Sequence, residues 1–293
     1  AFPCDALIEA CTAQTRAIVC TSPNNPTGAV CTAEELRRVR RNTGDVLLVV
    51  DLAYAEFAEE DLTATALELP NTVVLRTVSK AWGLAGLRVG YALGPELWIS
   101  RLRAVGAPYA VSSLSLSLAD AALQSTRAHT DAYVARVRVE RQQLMEVLNG
   151  YGCTARMSQG NFVYAETDNP LWFRDAMAGM GIAIRAFPNR AGLSQAIRIT
   201  CPGDAASFTR LCRALAIVCA PQALCLDIDG VLCDVRASYW AAIKQTAASF
   251  GVSVDIGDIE RVKALGNANN DWVVTQRLCA EASVSVPLRT VQE

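Results

Sequence analysis

Val46-Leu47-Leu48-Val49-Val50 is apolar at every position and runs straight into Asp51. A strand that alternates apolar and polar residues can leave one face in water. A strand with no polar position is expected to be covered on both faces, as in a parallel sheet flanked by helices. Residues 17–20 form another short strand-like run and lead into Ser22-Pro23-Asn24-Asn25-Pro26-Thr27-Gly28, a loop by its asparagines, prolines and glycine. Residues 72–75 are a third run, and they lead to Thr77-Val78-Ser79-Lys80. Loops at the carboxyl ends of strands are where α/β proteins keep their ligands. The chain is therefore read as α/β, with its chemistry in these loops.

Lys80 stands out because only three lysines, Lys80, Lys244 and Lys263, occur among 27 basic residues. Lysine, unlike arginine, can lose its proton and form a Schiff base with an aldehyde. Alone, a Ser-Lys pair is more often an ordinary surface lysine after a strand. Here a glycine-punctuated turn follows and returns an arginine, Arg88, eight residues later. Asp51 ends a buried run, which is costly for a carboxylate unless it meets a cation, although capping a turn would serve it too. Arg185 and Arg198 lie on two expected strands, 182–186 and 196–200, and together could fork onto a carboxylate or a dianion. Either one alone could equally be a surface ion pair.

Ser79-Lys80 followed by Leu84-Ala85-Gly86-Leu87-Arg88-Val89-Gly90-Tyr91 resembles the pyridoxal-phosphate lysine segment of the fold type I aminotransferases, the histidinol-phosphate aminotransferases most closely. Ser22 to Gly28 and Asp51-Leu52-Ala53-Tyr54 resemble two further stretches of that family in the same order, and the resemblance spans roughly residues 1–218. Leu52 departs from the acidic residue usual there. The resemblance implies a three-layer α/β large domain, here partial, a smaller α+β domain, and a homodimer when the chain is full length. It implies pyridoxal 5'-phosphate joined to Lys80, with Asp51 keeping the pyridine nitrogen protonated and Asn25 and Tyr54 on the phenolic oxygen. Ser79 and Arg88, with Thr77 a weaker candidate, would hold the cofactor phosphate. Arg185 and Arg198 would grip the anionic end of the substrate, with Asn161 on the same side. The expected reaction is transamination of a phosphorylated amine, histidinol phosphate, with a 2-oxo acid, 2-oxoglutarate, in histidine biosynthesis. A threonine-phosphate decarboxylase or an aromatic aminotransferase of the same fold stays open.

A chain of 293 residues, 52% hydrophobic, is long enough for two domains with real cores. A net charge of -2 gives no electrostatic reason to expect nucleic acid or an anionic membrane as partner. No apolar run approaches the roughly 18 residues that span a bilayer, and no signal peptide is visible, so a soluble, cytoplasmic protein is expected. Eleven cysteines without a C-x-x-C pair, several inside apolar runs (Cys20, Cys201, Cys219, Cys225), fit buried thiols better than disulfides or zinc. His129, the single histidine, has no catalytic partner in sequence. Residues 34–41 read as a helix with Leu36 and Val39 inward, charges outward, and a Glu34 to Arg38 pair. Pro95 is expected to open a helix with Leu97, Trp98 and Leu102 on its apolar side, and residues 113–148 to form a long helical bridge to the smaller domain.

The character changes again near Pro221. Residues 223–226 read as a buried strand running into Asp227-Ile228-Asp229-Gly230-Val231-Leu232, which resembles the first motif of the haloacid dehalogenase-like phosphatases. There the first carboxylate attacks phosphorus, the second handles the leaving-group proton, and Mg²⁺ between them neutralises the phosphate. An EF-hand loop is excluded because its twelfth position would fall on Ser238. Three regions are thus expected: a partial cofactor domain over 1–108, bridge and small domain over 109–219, and over 220–293 the start of a Rossmann-like phosphatase domain with a helical cap. The later motifs of that phosphatase family are absent. The chain opens on Ala1 near a strand and lacks the family's front segment, so a fragment of weak or no activity is expected, a scaffold for the phosphatase or a non-catalytic remnant being the rival readings.

Overall fold

The computed structural model describes residues 2–221, 223, 226–228, 232–266 and 270–292. Two compact units result, residues 1–222 and residues 223–293.

The first unit is built on two sheets. Helix α1 (Cys4–Glu9) precedes β1 (Ala17–Thr21), and α2 (Ala33–Asn42) leads to β2 (Leu47–Asp51). Then α3 (Thr63–Glu68), β3 (Thr72–Thr77) and β4 (Gly90–Leu93) follow. The sheet order is β1-β2-β3-β4, with β1, β2 and β3 parallel and β4 antiparallel. Register pairs Thr21 with Asp51 and Asp51 with Leu75, so the three parallel strands present their carboxyl ends, and the loops after them, along one edge.

The sequence accounts for α2 in detail. Thr32 caps its start and Glu35 reaches back to complete a capping box, with Glu34 and Glu35 in the first turn and Arg40 and Arg41 in the last, the order that suits the helix dipole. Leu36 and Val39 are buried as expected. Two details differ. Glu34 pairs with Arg41 at 2.6 Å, while Arg38 turns to Asp5. Arg40 is buried, since its guanidinium donates to the carbonyls of Val46 at 2.8 Å and Pro70 at 3.2 Å, fastening the helix to the strand after it.

Helices α1 to α3 cover one face of this sheet, where Ile18, Cys20, Leu48, Val50 and Val74 join Leu36, Val39 and Ala66 in one core. Full burial of β2 on both faces is not found: Leu47, Val49 and Asp51 are half-buried, and Val19 on β1 is 64% exposed. The three-layer expectation is thus met on one face at β1.

After β4 come α4 (Glu96–Val105), α5 (Ser113–Ser125) and α6 (Arg127–Gly150). The expected helix at Pro95 is present, but its apolar side is not buried, Leu97 and Leu102 being 56% and 46% exposed. The long helical stretch is broken once, at Thr126. Helix α6 buries Val134, Val137, Leu144 and Leu148 against the second sheet. That sheet is antiparallel, in the order β5-β6-β8-β7, from β5 (Thr154–Arg156), β6 (Phe162–Glu166), β7 (Arg185–Ala186) and β8 (Ala196–Thr200). Helix α7 (Pro170–Gly179), capped by Asn169, and α8 (Ala205–Cys219), capped by Asp204, complete its core through Phe173, Met177, Leu211 and Leu215.

The second unit contains α9 (Tyr239–Ser249), α10 (Ile256–Ala264), α11 (Asp271–Glu281) and α12 (Leu288–Gln292) around a core of its own. Ile243 is buried there, whereas Tyr239 is 48% exposed. No strand occurs among its described residues. The strand expected over 223–226 falls partly outside the described residues, and the two described ones, Ala223 and Leu226, are exposed rather than buried. Among the described residues ten cysteines are free, with Cys20 and Cys201 buried and Cys219 only half-buried; Cys225 lies outside the described residues. No helix among the described residues is long and apolar enough to cross a membrane.

Candidate active site

Strand β3 delivers Lys80. The strand ends at Thr77, and the chain closes a turn in which the Val78 amide donates to the Val89 carbonyl at 3.3 Å. The Thr77 hydroxyl lies 3.0 Å from that carbonyl and 2.9 Å from the Ser79 hydroxyl, and it accepts from the Ser79 amide at 3.1 Å. The two hydroxyls are thus fixed by local bonds, and the Lys80 carbonyl accepts from the Gly83 amide at 3.1 Å. Arg88 is on the same turn: it adopts a left-handed backbone conformation, φ 57°, is exposed, and donates to the Ala85 carbonyl at 3.1 Å.

Strand β2 delivers Asp51 and Tyr54. One Asp51 oxygen accepts from the Ala53 amide at 3.0 Å, so the carboxylate caps its own turn. It has no ion-pair partner among the described residues. Tyr54 is buried, and its ring lies beneath the Lys80 ammonium, 5.2 Å from Nζ to the centroid. Such a contact is a modest attraction. The Lys80 ammonium makes no hydrogen bond or ion pair among the described residues, an unusual condition for a half-buried amine.

The second sheet closes the other side. Phe162 on β6 meets the Tyr54 ring edge-on at 5.4 Å, and the Arg198 guanidinium stacks over Phe162 at 5.1 Å. Arg198 also donates to Asn25 Oδ1 at 2.6 Å, tying β8 to the loop after β1. Arg185 and Arg198 are directly opposed in the register of β7 and β8. Like charges in that arrangement repel. Burial pushes the Arg198 guanidinium below its ordinary value, Tyr54 opposes that shift, and Arg185 reinforces it. Arg198 Nε is buried without a hydrogen-bond partner, and neither arginine has a carboxylate partner among the described residues. The arrangement is suited to an anion.

The structure brings together Asn25, Tyr54, Lys80, Arg185 and Arg198, with Asp51 at the end of β2 and Ser79 on the lysine turn. Asn161 stands just before β6, with its side chain toward Tyr133 on α6, while Phe162 meets Tyr54 and Arg198. Phe162 was missed because an apolar strand residue carries no functional signal in a sequence. So were Glu56, Arg76 and Trp82, which pack behind the lysine turn.

In the second unit, Asp227 is exposed and accepts from the amide of Ile228 at 2.8 Å. Asp229 lies outside the described residues. Among the described residues no group of three or more histidine, cysteine, aspartate or glutamate side chains could hold a metal ion.

A family described as aminotransferase class I and II matches residues 3–215. An aromatic amino acid aminotransferase of Streptomyces avermitilis is 42% identical over 192 residues, 62% of this chain and 52% of that protein. A histidinol-phosphate aminotransferase of Haloferax volcanii is 39% identical over 188 residues, 64% of this chain and 51% of that protein. Among solved structures, histidinol-phosphate aminotransferase of Sinorhizobium meliloti in complex with pyridoxal-5'-phosphate superposes with a TM-score of 0.62 at 28% identity, covering 71% of this chain and 58% of that one. The chain thus spans about half the length of the relatives it matches. With the lysine turn, the aspartate and tyrosine loop and the facing arginines in their order along an α/β fold, the chain belongs to the class I and II aminotransferases.

Proposed function

We propose that residues 1–222 supply the lysine side of a pyridoxal-phosphate transamination site. The observation that carries this reading is Lys80, half-buried over Tyr54, without an ion pair, facing a wall that ends in two arginines without carboxylate partners. The residues fit the cofactor. An amine free of carboxylates can be joined to an aldehyde, Asp51 offers its uncapped oxygen to a pyridinium, and the Thr77 and Ser79 hydroxyls offer a phosphate seat, with Arg88 on the same turn. Asn25 and Tyr54 would hold the phenolic oxygen. When bound, pyridoxal phosphate supplies the electron sink that lets a proton leave the carbon bearing the amino group. The task of Lys80 is to take that proton on Nζ and return it at the neighbouring position. Arg198 and Arg185 bind the anionic end of the substrate, and Phe162 keeps water from that side of Tyr54.

The preferred substrates are histidinol phosphate and 2-oxoglutarate, supported by two opposed arginines that a dianion neutralises better than a single carboxylate would. An aromatic amino acid is the second reading, favoured by the Streptomyces relative and by the Phe162 wall. A second copy of the chain is the proposed partner, supported by apolar side chains left in water on α4 and α5, among them Val105 at 83% and Leu114 at 69% exposure. Sedimentation as a monomer at every concentration would count against it. For residues 223–293 the Asp227 and Asp229 spacing supports an Mg²⁺-dependent phosphatase motif.

One experiment addresses these assignments. The chain is incubated with pyridoxal phosphate, reduced with borohydride and mapped by mass. The label is expected on Lys80 and lost in Lys80→Arg. A wild-type label spread over Lys244 and Lys263 would sink the reading. In a chain extended to the length of its relatives, amino transfer from histidinol phosphate against that from phenylalanine ranks the substrates. Release of phosphate from histidinol phosphate, abolished by Asp227→Asn, is the corresponding outcome for the phosphatase motif.

A further inference from the structure

One carboxylate oxygen joins the two segments on which the site rests. Glu56, two residues beyond Tyr54, accepts through Oε1 from Arg76 at 2.8 Å and from the Trp82 indole at 3.3 Å. Arg76 is four residues before Lys80, and Trp82 two residues after it. The bonds therefore bracket the lysine turn from both sides.

The other end of this linkage is fixed. Arg138 on α6 donates to the carbonyls of Phe57 at 3.2 Å and Glu56 at 3.3 Å and also reaches that of Ala58. Arg141 on the same helix holds the Phe57 carbonyl at 3.3 Å and that of Gly160 at 3.0 Å. The segment that carries Tyr54 is thus anchored to a 24-residue helix, and the lysine turn hangs from it through Glu56. Arg76 is held as well by Asp61 at 2.9 Å and Thr63 at 2.6 Å.

Stability alone is a poor account of this arrangement. Replacing a buried ion pair by apolar groups is often neutral or favourable. Here the Arg76 and Glu56 side chains are only 10% and 12% exposed, and Arg76 Nε and Glu56 Oε2 remain buried without a hydrogen-bond partner. Buried polar atoms left unmatched call for an explanation in geometry rather than energy. We propose that Glu56 is a positioning residue for Lys80: by accepting from Arg76 and Trp82 together it sets where the amine stands over the Tyr54 ring. The inference deepens the functional reading above and rests on it.

The test reads position before any cofactor is added. The three lysines, Lys80, Lys244 and Lys263, are methylated reductively with ¹³C-formaldehyde and their N-methyl signals followed by NMR. Tyr54→Leu removes the ring and identifies the signal that it shields as that of Lys80. Trp82→Phe deletes the indole donor and keeps an aromatic ring. In that variant the Lys80 signal is expected to move toward its place in Tyr54→Leu, with the other two unmoved, and the borohydride-trapped fraction on Lys80 to fall several-fold. A Lys80 signal unmoved in folded Trp82→Phe overturns the inference. Should that variant fail to fold, Glu56→Gln, which keeps an acceptor but loses the charge opposite Arg76, is read in the same way and with the same criterion. A wild-type chain that takes no cofactor on Lys80 overturns the functional reading instead, because the NMR signals report the positioning without it.

Discussion

Glu140 shows how a single side chain ties the stability of the first unit to pH. It is 6% exposed on α6, and its Oε2 accepts from the Gly203 amide at 2.7 Å. Burial raises its carboxyl above the ordinary range, Asp204 adds to this, and the Gly203 bond and the Arg136 charge offset only part of it. The folded protein therefore binds this proton more tightly than the unfolded chain. Its contribution is full below the ordinary carboxylate pKa and is lost as pH rises through the raised folded value. Glu140→Gln keeps an oxygen for the Gly203 amide and removes the titration. Urea denaturation at about pH 4 and about pH 7 should show a smaller loss of stability between the two for the variant than for the wild type. Equal losses would show that Glu140 titrates the same way folded and unfolded. Nothing in the sequence marks this residue, because the partner that holds it is a backbone amide 63 positions away.

Among elements, the loop after β1 shows what a short motif can and cannot convey. Asparagine, proline and glycine announce a turn, but not what the turn is pressed against. Gly28 has φ +72°, and a Cβ there would lie 2.0 Å from Ser158 Oγ and 2.7 Å from Ser158 Cα. Its carbonyl accepts from Gln159 at 2.9 Å, so the loop that carries Asn25 docks on the chain just before β6. We expect Gly28→Ala to cost about 2–4 kcal/mol, the sum of a left-handed side-chain conformation and overpacking against backbone. Urea unfolding that moves by less than about 0.5 kcal/mol, the range of an uncoupled surface change, would contradict this. Strands and helices were legible from local patterns: the apolar runs, and the Leu36 and Val39 spacing of α2. Lys80, Asp51 and the opposed arginines were legible because chemistry restricts the residue type. Phe162, Trp82 and the arginines of α6 were not, since their roles come from long-range contacts that any apolar or basic residue on a strand or helix could make. The outward placement of Arg40 failed for the same reason, its partners being carbonyls at the end of a neighbouring loop.

At the scale of the whole chain, each unit closes its own core. Among the described residues of 223–293, Ile243, Ile259, Val262, Val274 and Leu278 are buried together, on helices α9, α10 and α11. A helical domain of this size buries a smaller fraction of its surface than the first unit and is correspondingly marginal. Domains with separate cores unfold separately when few contacts link them. Heating the intact chain should therefore give two transitions by far-ultraviolet circular dichroism, the smaller one first. Ile259→Ala, which deletes side-chain volume at a fully buried position, should destabilise only that smaller transition, by about 2–4 kcal/mol. Met177→Ala, in the core beneath α7, should shift only the larger one by a similar amount. A single transition that both substitutions move as a whole would mean that the two cores are one cooperative structure. In that case a substitution in either core would lower the stability of both units together, and neither unit could be destabilised alone.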